Sequence, residues 1–206
     1  NEKNHVPSSA ELISQIGWET DPAQGLILIN LVTENPQVEW YVNNFDVGRT
    51  YARQTVEDML IAVDVKPKDA KSIAKSYKRL VETPLGASLH WGFVTDEGDL
   101  VRTKCSVSDP RVVLYGLFKF AEKCNDYKEF TLATLLNESI DRNGISPTRI
   151  FGLNRDDMTP LLLGLSAKYP EFITASFTHD LEKITLAEDK SSQDVLDLFK
   201  GDAANA

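Results

Sequence analysis

Six cations fall in one short stretch, Lys66 to Arg79 (KPKDAKSIAKSYKR), against a single anion, Asp69. The stretch carries +5, whereas the whole chain is −9 and everything outside the stretch is −14. Laid on a helix at ~100° per residue, Lys68, Lys71, Lys75, Lys78 and Arg79 share an arc of ~100°. Ala70, Ile73, Ala74, Tyr77, Leu80 and Val81 take the other side, a stripe suited to a core. Ammonium groups gathered in this way attract phosphates or carboxylates. The ordinary reading of such a face is a solvated one. Two details argue for a contact instead. No Glu at i,i+4 balances the cations within the stretch, and the helix takes the third-element slot of a helix-turn-helix order, where a recognition helix lies in a groove. Lysine rather than arginine points to phosphates more than to bidentate reading of guanine. Arg102 and Lys104, on the strand that follows, would extend the patch along a wing.

Other side chains with chemical potential are poorly grouped. His5, His90 and His179 stand apart, with no HxxxH or HExxH spacing, and a lone His90 beside Trp91 reads as a packed or surface histidine. Cys105 and Cys124 match no metal or redox spacing and should not be redox partners. GLSAK around Ser166 lacks the second glycine of a nucleophile elbow. The pairs Asp156-Asp157 and Glu188-Asp189 are explained by helix capping and solvation. No Gly-Gly pair, Walker loop or GxGxxG occurs, so no phosphate-cradling loop is legible. No cofactor and no metal are called for. An enzyme would need a site assembled from distant positions.

The elements that position the basic face follow from periodicity and punctuation. Residues 1–9 read as a frayed lead-in, then AELISQIGW as a short helix. Asp21-Pro22 should cap and open a second helix, apolar nearly all round, and Pro36 a third with Trp40, Tyr41 and Phe45 in the core. Gln54 to Val63 and the basic stretch, started by Pro67, form two more. After a break at Thr83-Pro84-Leu85-Gly86, HWGFVTDEGDLVRTKC alternates as a hairpin turning at Gly98 and ending near Cys105. The order then recurs. Asp109-Pro110 caps an amphipathic helix with Val113, Leu117, Phe120 and Ala121 on one side, and Thr131 to Glu138 follows it. Asn154 caps RDDMTPLLLGLSAK, where Pro160 should bend or start the helix. A hairpin turning at His179-Asp180 closes the second unit. Leu114, Leu117, Phe118, Ala121, Leu132, Leu135, Leu136, Leu161, Leu165 and Phe177 should form one core there.

The block ETDPAQGLILINLVTENPQVEWYVNNF, followed by ETPLGASLHWGFV, SDPRVVLYGLFKFAEK and SPTRIFGLNRDDM, resembles a bacterial family known as domain of unknown function 4007. The resemblance covers roughly residues 19–188 and matches the C-terminal two-thirds of family members. It implies no catalytic residue, because the family supplies none. It implies an association with phosphoadenosine-phosphosulfate-reductase-like proteins in DNA-modification and phage-defence loci.

The expected architecture is mainly α with small β-hairpins: an N-terminal helical layer (1–48), two winged-helix-like units (49–107 and 108–190) and a C-terminal helix and tail (191–206). The expected function is non-enzymatic: a nucleic-acid-binding or adaptor domain using Lys68, Lys71, Lys75, Lys78, Arg79, Arg102 and Lys104. Its rivals are an acidic protein partner on the same cations, a scaffold for a sulfur enzyme without DNA contact, and an enzyme assembled across the units. A pI near 4.9 argues against a general nucleic-acid coat. No apolar run approaches the ~20 residues of a membrane span. The polar N-terminus has no apolar h-region, so a cytoplasmic location is expected.

Overall fold

Proline begins five of the described helices and is the second residue of a sixth, each behind an N-cap residue in extended conformation. The fixed φ of proline suits a first turn, whose N–H groups have no partner within the helix. The computed structural model describes residues 9–136, 144–178 and 181–200. Three helices come first: α1 (Ser9–Ile16), α2 (Asp21–Glu34) and α3 (Pro36–Asn44). Strand β1 (Thr50–Tyr51), α4 (Arg53–Ile61), α5 (Pro67–Glu82), the short α6 (Pro84–Ser88) and the hairpin β2 (Gly92–Val94) and β3 (Leu100–Arg102) follow. Next come α7 (Pro110–Lys123), β4 (Glu129–Phe130), α8 (Leu132–Leu136), α9 (Pro147–Phe151) and α10 (Arg155–Lys168). The hairpin β5 (Ile173–Thr178) and β6 (Leu181–Leu186), then α11 (Ser192–Asp197), complete the series. The fold is mainly α with two small antiparallel sheets, each of three strands.

The two sheets have the same wiring. In each, the last strand lies in the middle, paired on one side with its hairpin partner and on the other with a two-residue strand from before the helices: β1-β3-β2 and β4-β6-β5. Helix, strand, three helices, hairpin is therefore used twice, with α3 standing before β1 as α7 stands before β4. Gly98 supplies the left-handed residue of the first hairpin turn, at φ +85°. The turn expected at His179-Asp180 lies outside the described residues, as do residues 1–8 and the end of the helix expected to reach Glu138.

One hydrophobic cluster runs through both units and the helices before them. All ten residues expected in the second core belong to it or pack against it, but the core is shared with the first unit. Helix α7 departs from an amphipathic pattern, since every residue from Val112 to Phe118 is buried. It is a central helix packed by α2, α10 and α11. Its contact with α2 depends on Gly25: a Cβ there would lie 2.6 Å from a methyl of Val112. The aromatics Tyr41 and Phe45 are fully buried as expected, with ring centroids 4.6 Å apart.

Several boundaries differ from those read in the sequence. The cap of α2 is Thr20, whose hydroxyl accepts from the Ala23 N–H at 3.4 Å, while Asp21 is the first helical residue. Its carboxylate instead accepts from Ser88 Oγ. The break at Thr83 is a cap too, and opens α6. Helix α10 starts at Arg155, before Pro160, because Asn154 and Asp157 form a reciprocal capping box. Thr159 Oγ1 donates to the Arg155 carbonyl in the same turn. The strand before Cys105 ends at Arg102, and the Cys105 N–H donates to the Phe151 carbonyl.

Candidate nucleic-acid interface

Helix α5 forms as its sequence requires. Pro67 starts it, Asp69 lies in the first turn and Arg79 in the last, both favourable to the helix dipole. Ala70, Ala74, Tyr77 and Val81 are buried, and Ile73 and Leu80 pack beside them. Tyr77 fixes the helix against α3: its hydroxyl donates to the Gln37 carbonyl at 2.8 Å and its ring stacks on Trp40 at 6.2 Å.

The opposite face is cationic and open. Lys66, Lys68, Lys71, Lys75 and Arg79 are exposed. Lys78 is half-buried, and its ammonium reaches the turn of the β2–β3 hairpin, where a Cβ on Gly98 would be 3.3 Å from Nζ. None of these six side chains forms an ion pair or side-chain hydrogen bond among the described residues. Glu82 continues the face one turn beyond Lys78, so the cations have a single anionic neighbour at the C-terminal end.

The hairpin does not extend the patch. Its turn carries Asp96, Glu97 and Asp99, three carboxylates that phosphates would repel. Arg102 is not a surface residue at all. It is 1% exposed, and its guanidinium donates to the Val42 and Phe45 carbonyls, both at 2.7 Å, and to those of Arg149 and Ile150. These are the C-terminal carbonyls of α3 and α9, the negative ends of two helix dipoles. The cation is thus held by peptide oxygens, and it joins the two units. Lys104 is exposed, but its ammonium lies 2.8 Å from Asp157 at the start of α10. That contact, with the capping hydrogen bond at Asn154, holds the Asp157 carboxyl below the usual range.

Two features of this surface went unread in the sequence. The sign of the hairpin turn is written in TDEGD, three carboxylates in five residues. Ile61, the last residue of α4, and Val63, in the connection to α5, are 41% and 52% exposed. The pattern carries the helix to Val63, but α4 stops at Ile61 and Asp64 turns the chain at φ +65°.

The remaining polar groups serve the fold. Cys105 and Cys124 are not joined in a disulfide, and burial pushes Cys105 up to about 12, which makes it inert. Burial also raises the Tyr41 and Tyr77 phenols. His90 is exposed, with its carbonyl accepting from the Thr103 hydroxyl. Ser166 accepts from the Ala175 N–H at 3.0 Å. A cleft between the N-termini of α2 and α7, bordered by Asp21, Ser106, Ser108 and Asp109, has about 10 Å³, room for one water. Among the described residues no three His, Cys, Asp or Glu side chains converge as a metal site would need, and no helix is long and apolar enough to cross a membrane.

Two solved structures share this fold, the SspB crystal structure and the magnesium ion-bound SspB crystal structure. Each aligns with a TM-score of 0.62 at 16% identity, over 82% of this chain and 56% of the other. The likeness is therefore one of fold, and this chain spans little more than half the length of those it matches. No family model matches the chain, and no curated protein does.

Proposed function

We propose that this chain is a non-enzymatic nucleic-acid-contacting domain that meets the phosphate backbone through the outward face of α5. The observation that carries this reading is the face itself: exposed Lys68, Lys71, Lys75 and Arg79, unpaired within the described fold, on the third helix of a helix-turn-helix order. The acidic hairpin turn would be held off by the same phosphates. Contact is then confined to the helix, with a short footprint and little sequence preference. The resemblance to domain of unknown function 4007 supports a setting in bacterial DNA modification or phage defence, beside a reductase-like sulfur enzyme.

Replacing Lys68, Lys71 and Lys75 with Glu should abolish binding to a fluorescent DNA duplex while leaving the circular dichroism melt unchanged, because none of the three touches the core. Binding that survives the triple replacement would place the contact elsewhere. A protein partner is the second reading, and the exposed Ile61 and Val63 favour it: apolar anchors a few residues before the basic stretch suit an acidic protein segment. No duplex binding, together with a stable complex that Ile61→Glu disrupts, would establish that reading in place of the first.

A further inference from the structure

The two flanks of the basic face on α5 differ in charge. At ~100° per residue, Lys68, Lys75 and Arg79 fall within ~40° of one another and make the midline of the face. Lys71 and Lys78 lie ~60–80° to one side of Lys68. The β2–β3 hairpin packs on that side, as two close approaches show. A Cβ on Gly98 would be 3.3 Å from Lys78 Nζ, and one on Gly92 would be 2.9 Å from a methyl of Val81. The turn there brings Asp96, Glu97 and Asp99 to the C-terminal half of the helix, three carboxylates against the one ammonium of Lys78. The other flank carries Ser72 and Ser76, both exposed, with Asp69 only in the first turn.

A helix seated in the major groove of a duplex has a wall of phosphates on each flank. The groove is about 12 Å wide, and a helix with its side chains is about 10–12 Å across. On α5 one of those walls would meet the carboxylates of the turn. The midline would face base edges, whereas Lys68 and Lys75 are point charges suited to phosphates. A single strand needs one line of cations and has no second wall. Lys68, Lys75 and Arg79 supply the line, Lys71 lies beside it, and the serine flank leaves room for bases. No aromatic side chain is exposed on α5, so the bases are not stacked on it and their sequence matters little. We infer that α5 holds single-stranded nucleic acid, the backbone running along the helix, and that the acidic hairpin turn keeps duplexes off. This deepens the phosphate reading of α5 and rests on it.

Fluorescence anisotropy at one salt concentration tests it, with a labelled DNA strand of about 12 nucleotides, within the usual range of site sizes, and the duplex made from it. The single strand should bind tighter by about tenfold or more. Replacing Asp96 with Asn and Glu97 with Gln should raise duplex affinity by about tenfold and change single-strand affinity far less. Both side chains are exposed, so the circular dichroism melt should not move. Replacing Lys68, Lys71 and Lys75 with Glu should abolish the binding of either form. Single-strand binding that survives this replacement would overturn the inference. Two results would overturn it while leaving the phosphate reading of α5 intact: a duplex bound as tightly as the strand, or a ratio that the hairpin replacements leave unchanged. Binding of neither form would remove the phosphate reading, and the inference with it.

Discussion

Arg102 shows how peptide carbonyls hold a buried cation. Its two nitrogens answer carbonyls at the ends of α3 and α9, groups that helices leave without internal partners. Removing the guanidinium would leave those oxygens buried and unsatisfied and open a cavity in the shared core. Arg102→Ala should therefore lower the unfolding free energy by about 3 kcal/mol or more, read from urea denaturation. Arg102→Lys should recover only part of the loss, because one ammonium cannot serve both helix ends as the fork does. In the sequence Arg102 looked like a wing residue because it is charged and sits on a short strand. The carbonyls that hold it come from residues far away along the chain, which no local pattern announces. Lys104 lies beyond the end of the strand, and its partner Asp157 was missed for the same reason. Here the sign can be worked out. The Asp157 pKa is depressed in the folded state, so its contribution is present above the ordinary carboxylate value of about 3.9 and is lost as pH falls through the folded value. Lys104→Ala should move the Asp157 titration, followed by NMR, up toward the ordinary range, since the Lys104 hydrogen bond is the first cause of the shift.

At the scale of elements, helix starts were the most legible feature. Asn35 with Pro36, Asp109 with Pro110, and Asn154 each declare a first turn through a side chain that accepts from orphan N–H groups. Asn154→Ala should cost about 1 kcal/mol in a chemical unfolding experiment, since it removes half of a reciprocal pair. The misreadings were of competition between neighbours. Thr20 displaces Asp21 as cap, and Thr83 makes a helix of what looked like a break. Pro160 is carried inside α10 because the capping box has already set the start upstream. The burial of α7 on nearly all sides could not be read from its own residues, because it depends on α2, α10 and α11 arriving from different parts of the chain. Gly164 lies inside α10, where a Cβ would meet no atom within 4 Å. Gly164→Ala should therefore stabilise the fold by about 0.5–1 kcal/mol, measured as a rise in melting temperature.

At the scale of the molecule, two units of the same wiring are fused through one core, and α5 carries a net positive charge where α10 carries none. The basic face of α5 was legible because cations and apolar residues alternate there at helical spacing. Its limits were not, because they depend on which side of the hairpin faces the helix and on the burial of Arg102. What remains is a narrow cationic strip on a chain of net charge −9, bordered by the acids of the hairpin turn. Such a strip can hold phosphates only by direct charge contact, so its binding must respond to salt. The most direct measurement is the affinity for a labelled duplex by fluorescence anisotropy across a series of salt concentrations. With Lys68, Lys71, Lys75 and Arg79 each meeting one phosphate, log K should fall linearly against log salt with a slope of about −3 to −4, and Lys71→Ala should flatten it by about 0.9. A slope near zero, or one that Lys71→Ala leaves unchanged, would contradict the account.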